Sequence, residues 1–341
     1  MRVTILHNAI LDESAPDEKD VLAQVAAISD ALEHLGHDAV VLPCDLNLSA
    51  LKQRLSHAAP NMVFNLVESL GQSGALIHLV PFFLAANHFP FTGAQADAMM
   101  LSSNKIMAKT VMRASGLPTP DWLGPYPATE SPIQKPGIAQ EIEAKTWIIK
   151  SVWEHASIGL DEDGLLSGVS ADAVVAEMAT RATDLGGACF AETFIEGREF
   201  NLSVLDGPDG PVVLPPAEIQ FMGYGPEKPR IVGYRAKWDS TAYEYSHTPR
   251  RFTFAPEDRP LLKTLAEKAL SAWHCFGLKG YARVDFRVDS NRAPWILEVN
   301  ANPCLSPDAG FAAALAQAGI PFWAAVERIL MVADRENGGP K

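Results

Sequence analysis

Two stretches near the C-terminus decide how the chain is read: Tyr281-Ala282-Arg283-Val284-Asp285-Phe286-Arg287-Val288 and Trp295-Ile296-Leu297-Glu298-Val299-Asn300-Ala301-Asn302-Pro303. Both have strand composition and are joined through the polar link Asp289-Ser290-Asn291-Arg292. Side chains alternate faces along a strand, so Arg283 and Asp285 share one face, with Val284 and Phe286 on the other. By the same rule Glu298 and Asn300 share a face, with Leu297 and Val299 opposite. Pairing the strands brings two acids, an amide and an arginine together beside an apolar core. Hard oxygen donors of this kind suit a magnesium ion that also binds nucleotide phosphate. An ordinary half-exposed hairpin has the same alternation. The amides and proline of Asn300-Ala301-Asn302-Pro303, directly after an acidic strand end, favour a site.

Working outward, the rest of the chain supplies partners for that hairpin. Strand runs at Val3–Leu6, Ala39–Leu42 and Met62–Leu66 alternate with helical patterns at Asp20–Leu35, Leu48–Leu55 and Gly74–Ala86. That alternation predicts an α/β fold with a parallel sheet covered on both faces. One helix is expected over Asp97–Ser115, then an irregular stretch over Leu123–Glu143, a strand at Thr146–Lys150, a loop reaching Gly168, a helix at Ala171–Asp184 and a strand at Ala188–Phe194. Phe200–Leu205, Val212–Ile219 and Arg230–Trp238 read as strands. Leu261–Phe276 reads as a helix, as does Ala312–Val332 with a break at Gly319 and Pro321, and the tail Asn337–Lys341 reads as frayed. The boundaries predicted from this are an N-terminal α/β unit over residues 1–93, a central unit over 94–190 and a C-terminal unit carrying the metal site over 191–341.

Lysines recur where a buried phosphate would want them. Lys105 follows Ser102-Ser103-Asn104, which are residues that cap helices. A lysine there opposes the helix dipole, a conflict that a bound anion relieves; a solvated surface lysine is the other reading. Lys150 ends the apolar run Trp147-Ile148-Ile149 and needs a partner, either Glu154 downstream or a phosphate. Small residues in Glu154-His155-Ala156-Ser157-Ile158-Gly159 would let backbone N–H groups approach phosphate oxygens. Glu192-Thr193-Phe194-Ile195-Glu196-Gly197-Arg198-Glu199 joins two strand runs and by itself reads as an ordinary connection with surface acids; the alternative is a hinge where backbone near Phe194 and Ile195 reads an adenine edge and Glu199 holds ribose hydroxyls.

Composition narrows the partners. The chain has 341 residues, 48% of them hydrophobic, enough for two or three domains with real cores. A formal net charge of −13 repels nucleic-acid backbones and anionic lipid surfaces, so neither partner is expected. The N-terminus lacks a signal-peptide core, and no apolar run is of spanning length. Cys44, Cys189, Cys275 and Cys304 are scattered, without a Cys-x-x-Cys pair, and read as reduced thiols in a cytoplasmic protein.

Taken together and in order, these motifs resemble the ATP-grasp superfamily, and within it the D-alanine–D-alanine ligase branch. The resemblance runs from about Met1 to Val332. It implies three α/β domains, with ATP held between the central and C-terminal ones. Phe91-Thr92-Gly93 and Ser103-Asn104-Lys105 are similar to the family's Tyr-Thr-Gly and Asp-Lys segment, which puts Lys105 on ATP phosphates. Thr146–Lys150 resembles the second phosphate-lysine strand, and His155–Gly159 the mobile phosphate-covering loop, with Ser157 at a serine position. The segment from Glu192 to Glu199 matches the adenine and ribose hinge. Tyr234-Arg235-Ala236-Lys237-Trp238 resembles the segment whose lysine reaches the terminal phosphate. Asp285, Glu298 and Asn300 fall on metal-ligand positions, which implies Mg2+, as two ions and with Mn2+ able to substitute. Arg283 falls on the arginine that stabilises the tetrahedral intermediate.

Departures cluster at the amino-acid end. Asn65-Leu66-Val67-Glu68-Ser69 stands where the branch has His-Gly, and no Gly-Gly-x-Ser-x-Glu stretch occurs in Asn8–Glu18. Trp238 replaces tyrosine or phenylalanine, Ala156 replaces one of two serines, and Pro303-Cys304-Leu305-Ser306 replaces Pro-Gly-Met-Thr. Glu68 is the candidate for a substrate ammonium, with Ser306 and Asp308 as candidates for the second substrate pocket. The resemblance implies a carboxylate–amine ligase that joins amino acids or small peptides through an acyl-phosphate and releases ADP and phosphate. A non-catalytic ATP-binding module and a ligase that adds an amino acid to a protein or peptide are the alternatives. Members are often homodimers; nothing in this sequence marks that state.

Overall fold

The computed structural model describes residues 1–11, 14–127 and 144–337. The tail beyond residue 337, most of the expected irregular stretch and two residues of Asn8–Glu18 lie outside the described residues. The first sheet is parallel, in the order β2 (Asp38–Cys44), β1 (Arg2–Asn8), β3 (Met62–Asn65). β1 is central and buried on both faces, which explains its apolar residues Val3, Ile5 and Leu6 on both sides of the strand. Helix Val21–His34 lays Val21, Val25, Ile28 and Leu32 on one side of this sheet, and Leu51, Leu55, Val80 and Leu84 pack on the other.

The second sheet is antiparallel, in the order β4 (Trp122–Tyr126), β7 (Cys189–Thr193), β5 (Thr146–Ser151), β6 (Leu165–Ser167). Helix Ala171–Arg181, capped by the Ser170 hydroxyl, covers one face with Val174 and Met178. The third sheet runs β11 (Arg250–Arg251), β10 (Ala217–Ile219), β8 (Arg198–Leu205), β12 (Tyr281–Val288), β13 (Pro294–Asn300), and β9 (Val212–Val213) pairs with β8. Its pairings are also antiparallel. Helix Arg259–Phe276 buries Leu265, Ala269 and Trp273 against Leu202, Val204, Val284 and Phe286. This leaves the alternate residues of β8 and β12 for the opposite face.

Several local expectations are corrected. Asp97–Ser115 is two helices, Ala96–Ser103 and Lys105–Ala114, because Asn104 leaves helical geometry and its Oδ1 caps the second at Met107 N–H, 2.9 Å. The polar stretch before Gly168 contains strand β6. Val212–Ile219 is split into β9 and β10. Arg230–Trp238 contains no strand: Tyr234–Trp238 is a short helix, since its pattern belongs to a segment folded over the cavity and not to a sheet. Among the described residues, no single helix is long and apolar enough to cross a membrane.

Candidate active site

The β12–β13 pairing sets Asp285 directly opposite Glu298 and Arg283 opposite Asn300. A β-bulge between Asp285 and Phe286 leaves Leu297 without a partner, so Ile296 turns into the core while Glu298 and Asn300 keep the other face. Leu297, expected on the apolar side, therefore lines the cavity instead. Arg283 grips Asp285 with two parallel bonds, Nε to Oδ1 at 2.7 Å and Nη2 to Oδ2 at 2.8 Å. Asn300 Nδ2 donates to Asp285 at 3.3 Å and to Glu298 at 3.1 Å.

Around this pair lies a cavity of about 540 Å³. Its walls include Lys105, Lys150, Ser157, Glu192, Phe194, Ile195, Glu199 and Lys237. Glu68, Ser306 and Asp308 line the same space. Every candidate site residue read from the sequence thus borders one cavity, drawn from the second and third sheets and the segments between elements.

Each lysine is held differently. Lys105 Nζ donates to the Glu154 carbonyl at 2.7 Å, and its own N–H is bound by the Val152 carbonyl at 3.0 Å. Of the two partners considered for Lys150, Glu154 is not the one it meets. Lys150 Nζ lies 2.6 Å from Glu192 Oε1 across the β5–β7 pair, while Glu154 accepts the Gly74 N–H at 3.3 Å. Glu192, read as a hinge residue, uses its side chain on two cations, because fully buried Lys109 contacts its other oxygen. Lys109 also donates to Thr119 Oγ1 at 2.8 Å. Burial lowers the pKa of Lys105 and of Lys237, the latter helped by nearby Arg283. Burial would raise Glu298, but Lys105, Lys237 and Arg283 outweigh it and hold Glu298 well below the usual carboxylate range. In Asp285 burial wins and the pKa is raised.

Two covering segments meet over the lysines. Ala156 and Ser157 have φ of 60° and 63°, a left-handed pair in the expected phosphate-covering loop. Ser157 Oγ donates to the Val232 carbonyl at 3.0 Å, and Trp238 Nε1 to the Ala156 carbonyl at 3.1 Å. The Tyr234 hydroxyl reaches Asp17 Oδ1 at 2.8 Å, tying this cover to the N-terminal unit.

At the amino-acid end Glu68 accepts from Gln24 Nε2 at 2.8 Å, and burial pushes its pKa up to about 7. Cys304 donates to Asp20 Oδ2 at 2.9 Å beside Ser306. Arg250 donates to the Asp308 carbonyl at 2.9 Å and lines the cavity.

Sequence reading missed Lys109, Asn201 and Arg250. Asn201 Nδ2 bonds Asp285 Oδ1 at 2.8 Å. Its signal was present, since it sits two residues from Glu199 on one strand and so shares its face. Arg250 had no local signal.

The donor set fits magnesium. Two carboxylates and an amide converge, and among the described residues no group of three or more His, Cys, Asp or Glu side chains is gathered for a metal. Magnesium typically takes one or two protein carboxylates and completes its shell with phosphate oxygens and water.

Comparison with known proteins agrees with this geometry. The family model for the D-ala D-ala ligase C-terminus matches residues 111–331. The chain is 29% identical over 334 residues to a D-alanine–D-alanine ligase of Moorella thermoacetica, covering 95% of this chain and 98% of that protein. A D-alanine–D-alanine ligase of Carboxydothermus hydrogenoformans is 29% identical over 313 residues, covering 90% of this chain and 91% of that one. The crystal structure of the Bacillus anthracis D-alanine–D-alanine ligase complexed with ATP shares the fold, with a TM-score of 0.74 over 99% of both chains at 17% identity. The family match spans well over half the chain and the likeness in fold extends end to end: the chain belongs to the D-ala D-ala ligase family of ATP-grasp enzymes, ATP-dependent ligases that form an amide bond.

Proposed function

We propose that the chain activates the carboxylate of an amino acid or small peptide with ATP and Mg2+ and passes the acyl group to the amine of a second such molecule. The observation that carries this reading is the facing pair Asp285–Glu298, with Arg283 and Asn300 at its side, in one cavity with Lys105, Lys150 and Lys237. A carboxylate oxygen is a poor leaving group until it is phosphorylated. Lys105, Lys150 and Lys237 hold the phosphates and orient the terminal phosphoryl toward the carboxylate. Asp285, Glu298 and Asn300 hold magnesium, which when bound offsets phosphate charge. Attack by the neutral amine then forms the C–N bond and converts the acyl-phosphate carbonyl to an oxyanion, which Arg283 stabilises. Such an electrostatic contribution is typically worth about 3–4 kcal/mol. Collapse of the oxyanion restores the carbonyl, breaks the C–O bond to phosphate and releases inorganic phosphate and the proton of the attacking nitrogen. The hydrogen-bonded cover of Ser157, Val232, Trp238 and Ala156 keeps water from the acyl-phosphate.

Glu68 receives the ammonium of the first substrate, and Ser306 and Asp308 border the second. Acids Glu68 and Asp20 and arginines Arg283 and Arg250 line the same cavity, a lining that suits substrates carrying both an ammonium and a carboxylate. The reaction belongs in the cytoplasm, where ATP is available. Purified protein with ATP, Mg2+ and a panel of D- and L-amino acids and dipeptides should release ADP and phosphate in step with amide formation. Release of AMP and pyrophosphate would refute the acyl-phosphate scheme. ATP binding without turnover across the panel would favour a non-catalytic module, and transfer of labelled amino acid only onto protein would favour the third alternative.

A further inference from the structure

Arg287 took no part in the sequence reading, yet it is the most deeply set cation on the nucleotide side of β12. It sits two residues beyond Asp285 and directly opposite Glu199 in the β8–β12 register. Its residue exposure is 4%, and its Nη2 lies 3.0 Å from Glu199 Oε2. The other contacts are to backbone: Nη1 donates to the Gly197 carbonyl at 3.1 Å, and Nη2 to the Arg230 carbonyl. The guanidinium also lies 5.5 Å from the ring centres of both Phe194 and Phe221.

These contacts join three parts of the nucleotide pocket. Gly197 belongs to the hinge after Phe194 and Ile195. A Cβ at Gly197 would stand 2.0 Å from the Val288 carbonyl, so the hinge lies pressed against β12 where Arg287 grips it. Arg230 opens the segment that leads to Lys237. Glu199 lines the cavity and is the ribose candidate. A planar guanidinium with several fixed donors can serve a carboxylate and two carbonyls at once; an ammonium or an apolar side chain has no such fork. With these donors engaged by protein, Arg287 acts on nucleotide through Glu199.

We propose that Arg287 is a positioning residue that fixes the Glu199 carboxylate, and with it the hinge, for recognition of the ribose hydroxyls of ATP. The inference rests on the nucleotide-binding part of the proposed function. Without Arg287 the carboxylate would lose its charged partner and its fixed rotamer, and the advantage of a hydroxylated ribose would go with them. A buried ion pair that served stability alone would lower the melting temperature and leave ribose discrimination intact.

The test compares ATP with 2′-deoxy-ATP and 3′-deoxy-ATP in Mg2+-dependent ADP release by the full chain. A charge-assisted hydrogen bond predicts that the wild type prefers ATP over at least one deoxy analogue by roughly 10-fold or more in kcat/KM. In Arg287→Met the preference should fall to within about 2-fold, through a rise in KM for ATP with a smaller change in kcat, as uniform-binding losses do. Glu199→Gln should lose the same preference, and Arg287→Lys should recover part of it. Should Arg287→Met not fold, Arg287→Lys carries the test: an unchanged ATP-to-deoxy ratio in it overturns the proposal. The same holds for an unchanged ratio in a folded Arg287→Met, or for a wild type that turns over ATP without preferring it. A wild type with no ATP turnover would overturn the proposed function itself.

Discussion

Replacing Lys109 by methionine should cost more than its place on a helix suggests. Lys109 is fully buried, and its partner Glu192 is only 2% exposed at the side chain. The variant leaves a buried carboxylate with Lys150 alone, while Thr119 Oγ1 loses its donor. Removing one member of a buried ion pair typically costs about 3–5 kcal/mol, because the remaining charge stays desolvated. At 1.36 kcal/mol per decade that is roughly a 10²- to 5 × 10³-fold drop in the folding constant. The loss also has a pH signature. In the wild type burial would raise the Glu192 pKa, but Lys109 and Lys150 outweigh it and the pKa is lowered. The stability this confers is complete above the unfolded value of about 4.3 and is lost as pH falls through the lower folded value. With Lys109 gone, burial should dominate and lift the folded pKa above the unfolded one. The penalty then grows as pH rises through that folded value and disappears toward low pH. Urea unfolding of wild type and variant at pH 8 and pH 5, followed by tryptophan fluorescence, measures the difference; Trp122 lies 5.7 Å from Lys109 and reports locally. A deficit under about 1 kcal/mol at pH 8, or one equal at both pH values, would refute the reasoning, since it would mean that Lys150 alone is enough to compensate the buried Glu192 charge.

Glu298→Gln should lower ligation by at least about 10²-fold and shift the Mg2+ titration to higher concentration, measured by ADP release, because one of two carboxylates for the metal is lost. Trp238→Phe removes the donor to the Ala156 carbonyl, worth about 1 kcal/mol, and should raise ATP hydrolysis uncoupled from amide formation about 5-fold, read as the ratio of phosphate to product. Glu68 has a pKa pushed up to about 7, so it is ionised above that value and neutral below it. The KM for the ammonium-bearing first substrate should therefore rise as pH falls through about 7, and Glu68→Gln should abolish that dependence; a pH-independent wild-type KM would remove Glu68 from the ammonium role.

Legibility differed sharply along the chain. The faces of the C-terminal hairpin were readable because strand alternation is a property of the local backbone, and Arg283 with Asp285 and Glu298 with Asn300 follow from it. The bulge at Leu297 was not, since a one-residue change of register answers to the packing of Ile296 in the core. Asn104 signalled a helix start, yet the residues before it also read as helix, so two helices merged into one expectation. Tyr234–Trp238 has aromatic and apolar residues that suit a strand; its helical conformation comes from contacts with Leu160, Ala156 and Asp17.

By itself the sequence determined which side chains were candidates for the cavity wall and how near neighbours are disposed, because period, capping and turn preferences act over a few residues. Only the tertiary structure decided who partners whom. Lys150 meets Glu192 from 42 residues away and not the nearby Glu154, and Trp238 closes on Ala156 across 82 residues. Those choices follow from how whole sheets pack, and from the cost of leaving a buried charge unpaired, neither of which a local pattern encodes.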